Sequence, residues 1–327
     1  MAASIYPDFP PQLTEEQSDY LITTLKDWSI AHGLAVRPSP AFVSKNIDPS
    51  GVLAVTAPVT LFPSPFPRSC FEEAKAIQVA YNELYAAIAR DEEWLGGIVE
   101  ELLEVDDFIA SLWDVHLAVK KEGYVQDLSL GLFRSDYMVH VDPSTPSARP
   151  QIKQVEFNTI ASSFGGLSSQ VSRLHKHLLA TSAYPPTSPP IIKPDALPTN
   201  PSTSSLSLGL ATAHKHYGPS KSTPPLPLCI IFIVQSPERN VFDQRHLEYS
   251  LQTTHSIPTF RLPFPATLTQ THIPPTNPSR PLIFTPPTPQ APPTKPQPST
   301  SAPATPPPTT SPRTPGPRAS TSNAAPP

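Results

Sequence analysis

The sequence predicts a mixed α and β protein followed by a proline-rich tail, and three observations carry that expectation. Amphipathic helical repeats alternate with short apolar strands, a strand–helix–strand run ends the patterned part, and 48 prolines in 327 residues crowd toward the C-terminus. The formal charge of −4 leaves no basic stripe for nucleic acid or an anionic membrane. Cys70 and Cys229 are too few for a disulfide framework and no basic-then-apolar leader opens the chain, so a reducing, cytoplasmic setting is expected. The longest apolar run, 228–234, falls far short of the roughly 20 residues that cross a bilayer.

The first helix signal is Thr14-Glu15-Glu16-Gln17, where cap and third residue can satisfy each other's free N–H groups. Leu21, Ile22, Leu25 and Trp28 follow at helical spacing, and Gly33 can end the helix in a left-handed turn. Val, Leu and Thr from 52 to 62 predict a strand that stops at the prolines of 63–67. A second helix is expected over 71–89 and a third over 94–120, interrupted near Asp106. Segments 127–137 and 151–158, joined by a polar loop, predict an antiparallel pair, and 167–180 a helix. His175 and His177 on that helix lack metal spacing and are expected at the surface.

The Pro, Ser and Thr of 184–205 predict a loop, and 206–217 a short helix. The strand 228–235, helix 242–251 and strand 257–262 predict a right-handed crossover in a parallel sheet. Cys229, opening that strand, reads as a small core residue. From about 271 the character changes. Between 286 and 327 there is no Asp, Glu or aromatic residue and sixteen prolines, so polyproline II disorder is expected. The P-x-x-P matches there follow from composition alone.

Three constellations could carry chemistry. In Gln154-Val155-Glu156-Phe157-Asn158, Glu156 and Asn158 are two apart on a strand and share a face, presenting hard oxygens of the kind magnesium prefers. The chain then turns through Ser162, Ser163 and two glycines onto a helix N-terminus, which favours an anion such as a substrate carboxylate or phosphate. A solvated strand-end acid and a plain serine cap remain the alternative. The second constellation, Ser236-Pro237-Glu238-Arg239-Asn240-Val241-Phe242-Asp243-Gln244, follows a buried strand, where open α/β sheets bind ligands. Acid, guanidinium and amide together suit a zwitterionic, peptide-like ligand, while a capped helix start with a Glu–Arg surface pair is the bland equivalent. The third is Arg134 in Leu132-Phe133-Arg134-Ser135-Asp136-Tyr137, either a carboxylate clamp or a neighbour pair with Asp136 on a wet face.

Taken together, Arg134 to Tyr137, the run Glu156-Phe157-Asn158-Thr159-Ile160-Ala161-Ser162-Ser163-Phe164-Gly165-Gly166-Leu167 and the run from Glu238 to Arg245 resemble eukaryotic glutathione synthetase, an ATP-grasp ligase family, from about Leu13 to Leu262. The resemblance implies an incomplete ATP-grasp-like core over 1–183, a Pro/Ser/Thr-rich loop over 184–205, a partial parallel α/β substrate-binding domain over 206–270 and a disordered tail over 271–327. It implies Mg2+ and ATP, with γ-glutamylcysteine and glycine as the other substrates, and a homodimer. Glu156 and Asn158 would be the metal ligands, Glu156 also lying near ATP. Arg134, Ile160, Ala161, Ser162 and Ser163 would contact the dipeptide, and Glu238, Arg239, Asn240 and Gln244 would meet it from the second domain. The family's third metal carboxylate, adenine pocket and glycine-rich lid are expected to be missing. The proline-rich tail is expected to be a wrong-frame or unspliced stretch joined to a truncated, inactive synthetase, with a non-catalytic or interaction role as the alternative.

Overall fold

The computed structural model describes residues 9–145, 148–187 and 190–287. The first helix, α1 (Glu15–Ala31), starts as its sequence requires. Thr14 Oγ1 accepts from Gln17 N–H at 3.2 Å, and Gln17 Oε1 accepts from Thr14 N–H at 3.0 Å. Gly33 takes φ +68°, and Leu34 leads into β1 (Ala35–Val36). Of the strand expected over 52–62, only β2 (Val55–Thr56) pairs, because its partner β1 runs straight into Pro38 and Pro40.

Three helices follow: α2 (Arg68–Ile88), α3 (Glu92–Glu100) and α4 (Asp107–Glu122). The break expected near Asp106 is there, and Asp106 caps α4 by accepting from the N–H groups of Phe108 and Ile109. The antiparallel pair β3 (Arg134–His140) and β4 (Gln151–Asn158) comes next. Its first strand starts seven residues later than the sequence suggests. Arg134 already faces Asn158, the last residue of β4, so 127–133 have no strand opposite them. Tyr85 stacks on Phe157 at 3.6 Å between ring centroids, fixing α2 against this hairpin.

Helix α5 (Gly165–Ala180) packs on α1. Leu167, Leu174 and Leu178 join Leu21, Leu25, Trp28, Leu34, Phe62 and Tyr184 in the main core. His175 is a correction to the sequence reading: it is 5% exposed, with Nδ1 2.6 Å from the Tyr184 hydroxyl. Spacing placed it one residue off the apolar stripe, but that flank of α5 is closed by Tyr184. Helix α6 (Ser202–Tyr217) begins four residues earlier than expected. Asn200 Oδ1 accepts from Ser202 N–H, and Ser202 Oγ donates to Gly165 O at 2.7 Å, so a local side-chain turn just ahead of the helix and a tertiary contact outweigh the proline-rich composition.

The strand–helix–strand run is present as β5 (Ile230–Val234), α7 (Val241–His255) and β6 (Thr259–Pro263), with β5 and β6 parallel. A short α8 (Thr267–Gln270) comes next, and the start of the segment expected to be a disordered tail from 271 is instead ordered as an antiparallel pair of β7 (Thr271–His272) and β8 (Ile283–Phe284). Phe284 lies 5.3 Å from Phe260 of β6, ring to ring. Residues 288–327, where most of the expected tail falls, lie outside the described residues. Among the described residues no helix is long and apolar enough to cross a membrane.

Candidate substrate and metal site

The end of β3–β4 and the loop after it gather the first cluster. Arg134 donates from Nε and NH2 to the two carboxylate oxygens of Asp136, at 2.8 and 3.0 Å, and from NH1 to Ser163 O at 3.2 Å. Glu156, directly opposite Asp136 in register, places Oε1 3.7 Å from Arg134. Arg134 and Asp136 are thus the neighbour pair allowed by the sequence, but on a half-buried face. The guanidinium holds the Asp136 carboxyl below the usual carboxylate range against the opposing pull of burial. Three of the five guanidinium N–H groups donate to these acceptors.

Asn158 Nδ2 donates to Glu156 Oε1 at 3.0 Å, as two residues on one strand face can. The amide is thereby oriented, with its own oxygen left over for another partner. Among the described residues no group of three or more His, Cys, Asp and Glu side chains is placed to hold a metal ion.

The loop 159–164 is shaped by backbone that side-chain-bearing residues adopt reluctantly. Ala161 and Phe164 take φ of 51° and 73°, a conformation that costs on the order of 1 kcal/mol or more each and is common at ligand-binding turns. Ser162 Oγ donates within reach of both Leu132 O and Asn158 O, and Ser163 Oγ donates to Ala161 O at 3.3 Å. Ile160 is 78% exposed, unusual for its type, and stands at the open side of this turn.

The second cluster lies between β5 and α7. Glu238 accepts from Asn240 N–H at 2.8 Å and from Gln244 Nε2 at 2.9 Å. The Gln244 side chain and the Asn240 backbone thus share the Glu238 carboxylate, while the Asn240 amide donates to Asp243 at 3.4 Å and Arg239 is exposed. The backbone of Arg239 accepts from Arg37 N–H, tying this loop to β1.

One residue joins the clusters, and reading the sequence missed it. Asp243, 5% exposed, accepts from Phe164 N–H at 2.7 Å and from the N–H groups of Gly166 and Leu167 at 2.9 Å each. The helix N-terminus expected to hold a substrate anion is therefore filled by the protein's own carboxylate. That is the correction: the attraction between dipole and anion is real, but the anion comes from α7. Gly166 makes the approach possible, since a Cβ there would sit 2.4 Å from Asp243 O. In sequence Asp243 looks like an ordinary first-turn acid of its own helix, and nothing local says that it serves another one.

Residues 15–297 match the family model described as eukaryotic glutathione synthase, ATP binding domain. The match extends past the Leu13–Leu262 stretch on which the resemblance rested. The glutathione synthetase large chain of Schizosaccharomyces pombe is 37% identical over 257 residues, covering 73% of this chain and 48% of that one. Glutathione synthetases of Bos taurus and Homo sapiens are 36% and 35% identical over 237 residues, 72% of this chain and 46% of each. A solved glutathione synthetase-like effector of Globodera pallida, in apoform, shares the fold with a TM-score of 0.63 and 22% identity, over 84% of this chain and 55% of that one. The chain belongs to the eukaryotic glutathione synthase family, and it spans about half the length of the curated relatives it matches.

Proposed function

We propose that this chain forms the dipeptide- and magnesium-binding part of an ATP-dependent ligase that joins γ-glutamylcysteine to glycine, the step that makes glutathione. The observation that carries the reading is Asp243: its carboxylate ties α7, beside one motif cluster, to the loop and helix start that follow the other. Arg134 and the loop residues Ile160, Ala161, Ser162 and Ser163 would hold the dipeptide from one side, and Glu238, Arg239, Asn240 and Gln244 from the other. The Glu238 carboxylate suits an ammonium group, and the guanidinium groups of Arg134 and Arg239 suit carboxylates, as a zwitterionic peptide requires.

The residues present fit a magnesium ion in part. Glu156 and Asn158 offer two hard oxygens on one strand face, and an octahedral ion of this kind takes few protein ligands beside phosphate oxygens and water. When bound, it would offset charge on a transferring phosphoryl group. Glu156 would thereby lie close to the ATP phosphates. Formation of an acyl phosphate on the cysteinyl carboxylate, followed by attack of the glycine amine, needs positioning and charge stabilisation more than covalent help from side chains. Arg134 is suited to holding a carboxylate in place for such a step.

A second reading is a chain that binds the dipeptide without turning it over. Purified chain incubated with Mg2+, ATP, γ-glutamylcysteine and glycine separates the two. Glycine-dependent phosphate release supports the ligase. Saturable dipeptide binding with no glycine-dependent phosphate supports the binding chain, and absence of both overturns the assignment of this site.

A further inference from the structure

The geometry points to Arg261 as a positioning residue for the dipeptide subsite, acting through Gln244; this rests on the reading of that subsite given above. Arg261 lies on β6, outside the three motif clusters, with a side chain only 14% exposed. Its guanidinium bridges two acceptors on α7. NH2 donates to Gln244 Oε1 at 2.6 Å and NH1 to the Glu248 carboxylate.

The consequence for Gln244 is chemical. A glutamine amide has one accepting and one donating end, and free of neighbours it can turn either outward. Arg261 has no acceptor, so it selects the oxygen of Gln244, and the amide nitrogen must then point away, where Glu238 accepts it at 2.9 Å. Glu238 in turn accepts from Asn240 N–H with its other oxygen. One guanidinium on β6 thus sets the direction of the Gln244 amide and, through it, of the Glu238 carboxylate, two groups proposed to meet the ligand.

Glu248 anchors the arrangement. It is 2% exposed and accepts from Arg245 NH1 at 2.5 Å as well as from Arg261. A carboxylate buried to this degree holds its cations firmly, because leaving it uncompensated is costly. Arg261 is therefore fixed by a group that has no place in the ligand site, and the fixed guanidinium transmits that rigidity to Gln244.

The test is a double-mutant cycle read by calorimetric titration of γ-glutamylcysteine into the full chain. Arg261→Lys keeps a cation for Glu248 but loses the planar fork. It is expected to fold and to weaken the dipeptide about tenfold, the scale of one charge-assisted hydrogen bond. Arg261→Gln paired with Glu248→Gln removes the buried charge together with its cation and serves if the lysine variant does not fold. In a Gln244→Ala background, Arg261→Lys is expected to change affinity less than twofold, because the group it acts through is gone. Equal weakening in both backgrounds, or none in either, overturns the positioning role while leaving the subsite standing. If the unmodified chain shows no saturable dipeptide binding, the subsite itself is wrong and this role falls with it.

Discussion

The helices α1, α5 and α7 and the helices α2, α3 and α4 have similar amphipathic patterns but different fates. The first group closes a core in which Leu21, Leu174, Leu178 and Leu251 are fully buried and even Asp243, Glu248 and His175 are almost wholly enclosed. In the second, α4 buries none of its residues, and Trp94, Phe108, Leu112 and Val115 stand in the open. A helical repeat says which side wants cover; it does not say that cover is present. The proposed site straddles the two regions. Its metal pair sits on the hairpin that α2 supports, and its dipeptide loop is anchored by Asp243 to the closed core.

The contrast can be broken most sharply at Asp243. Asp243→Ala leaves three backbone N–H groups of a helix start without their anion and is expected to cost about 4 kcal/mol of unfolding free energy in urea denaturation. Asp243→Asn retains an accepting oxygen and is expected to cost roughly half as much. Leu174→Ala, in the same core, is expected to cost about 3 kcal/mol by the same measurement.

His175 adds a pH signature to the closed core. Burial pushes its imidazole down from 6.5 to about 4, so the folded state holds fewer protons than the unfolded chain between those values. Stability is complete above pH 6.5 and falls as pH drops toward 4, by about 3 kcal/mol. Denaturation curves across that range are expected to show the slope, and His175→Gln to flatten it. The smallest effect belongs to the open region: Leu112→Ala, at a position 53% exposed, is expected to stay within about 0.5 kcal/mol of the parent chain.

Much of this architecture was legible because its causes are local. The capping box at Thr14, the break at Asp106 and the parallel pairing of β5 with β6 follow from cap chemistry, spacing and crossover handedness. The late start of β3 was not legible, since a strand's length depends on how far its partner runs. Nor was the early start of α6, where Ser202 meets Gly165 across 37 residues. In the site, strand periodicity brought Glu156 beside Asn158, and the short span from Glu238 to Gln244 brought those two side chains together. What connects them was invisible for the same reason as the α6 start: Asp243 reaches a helix 77 residues earlier in the chain, and Arg261 reaches Gln244 from another element. The helix N-terminus after Ser163 announces an anion in the sequence but cannot say whose.

The most direct measurement is calorimetric titration of γ-glutamylcysteine into the chain carrying one substitution in each cluster, Arg134→Met or Gln244→Leu, beside the unmodified protein. Saturable binding by the unmodified chain, weakened at least tenfold by either substitution alone, is the expected result, because the two clusters face one ligand across the Asp243 clasp. Saturable binding that only one of the substitutions disturbs, or no saturable binding at all, would contradict a single site built from both.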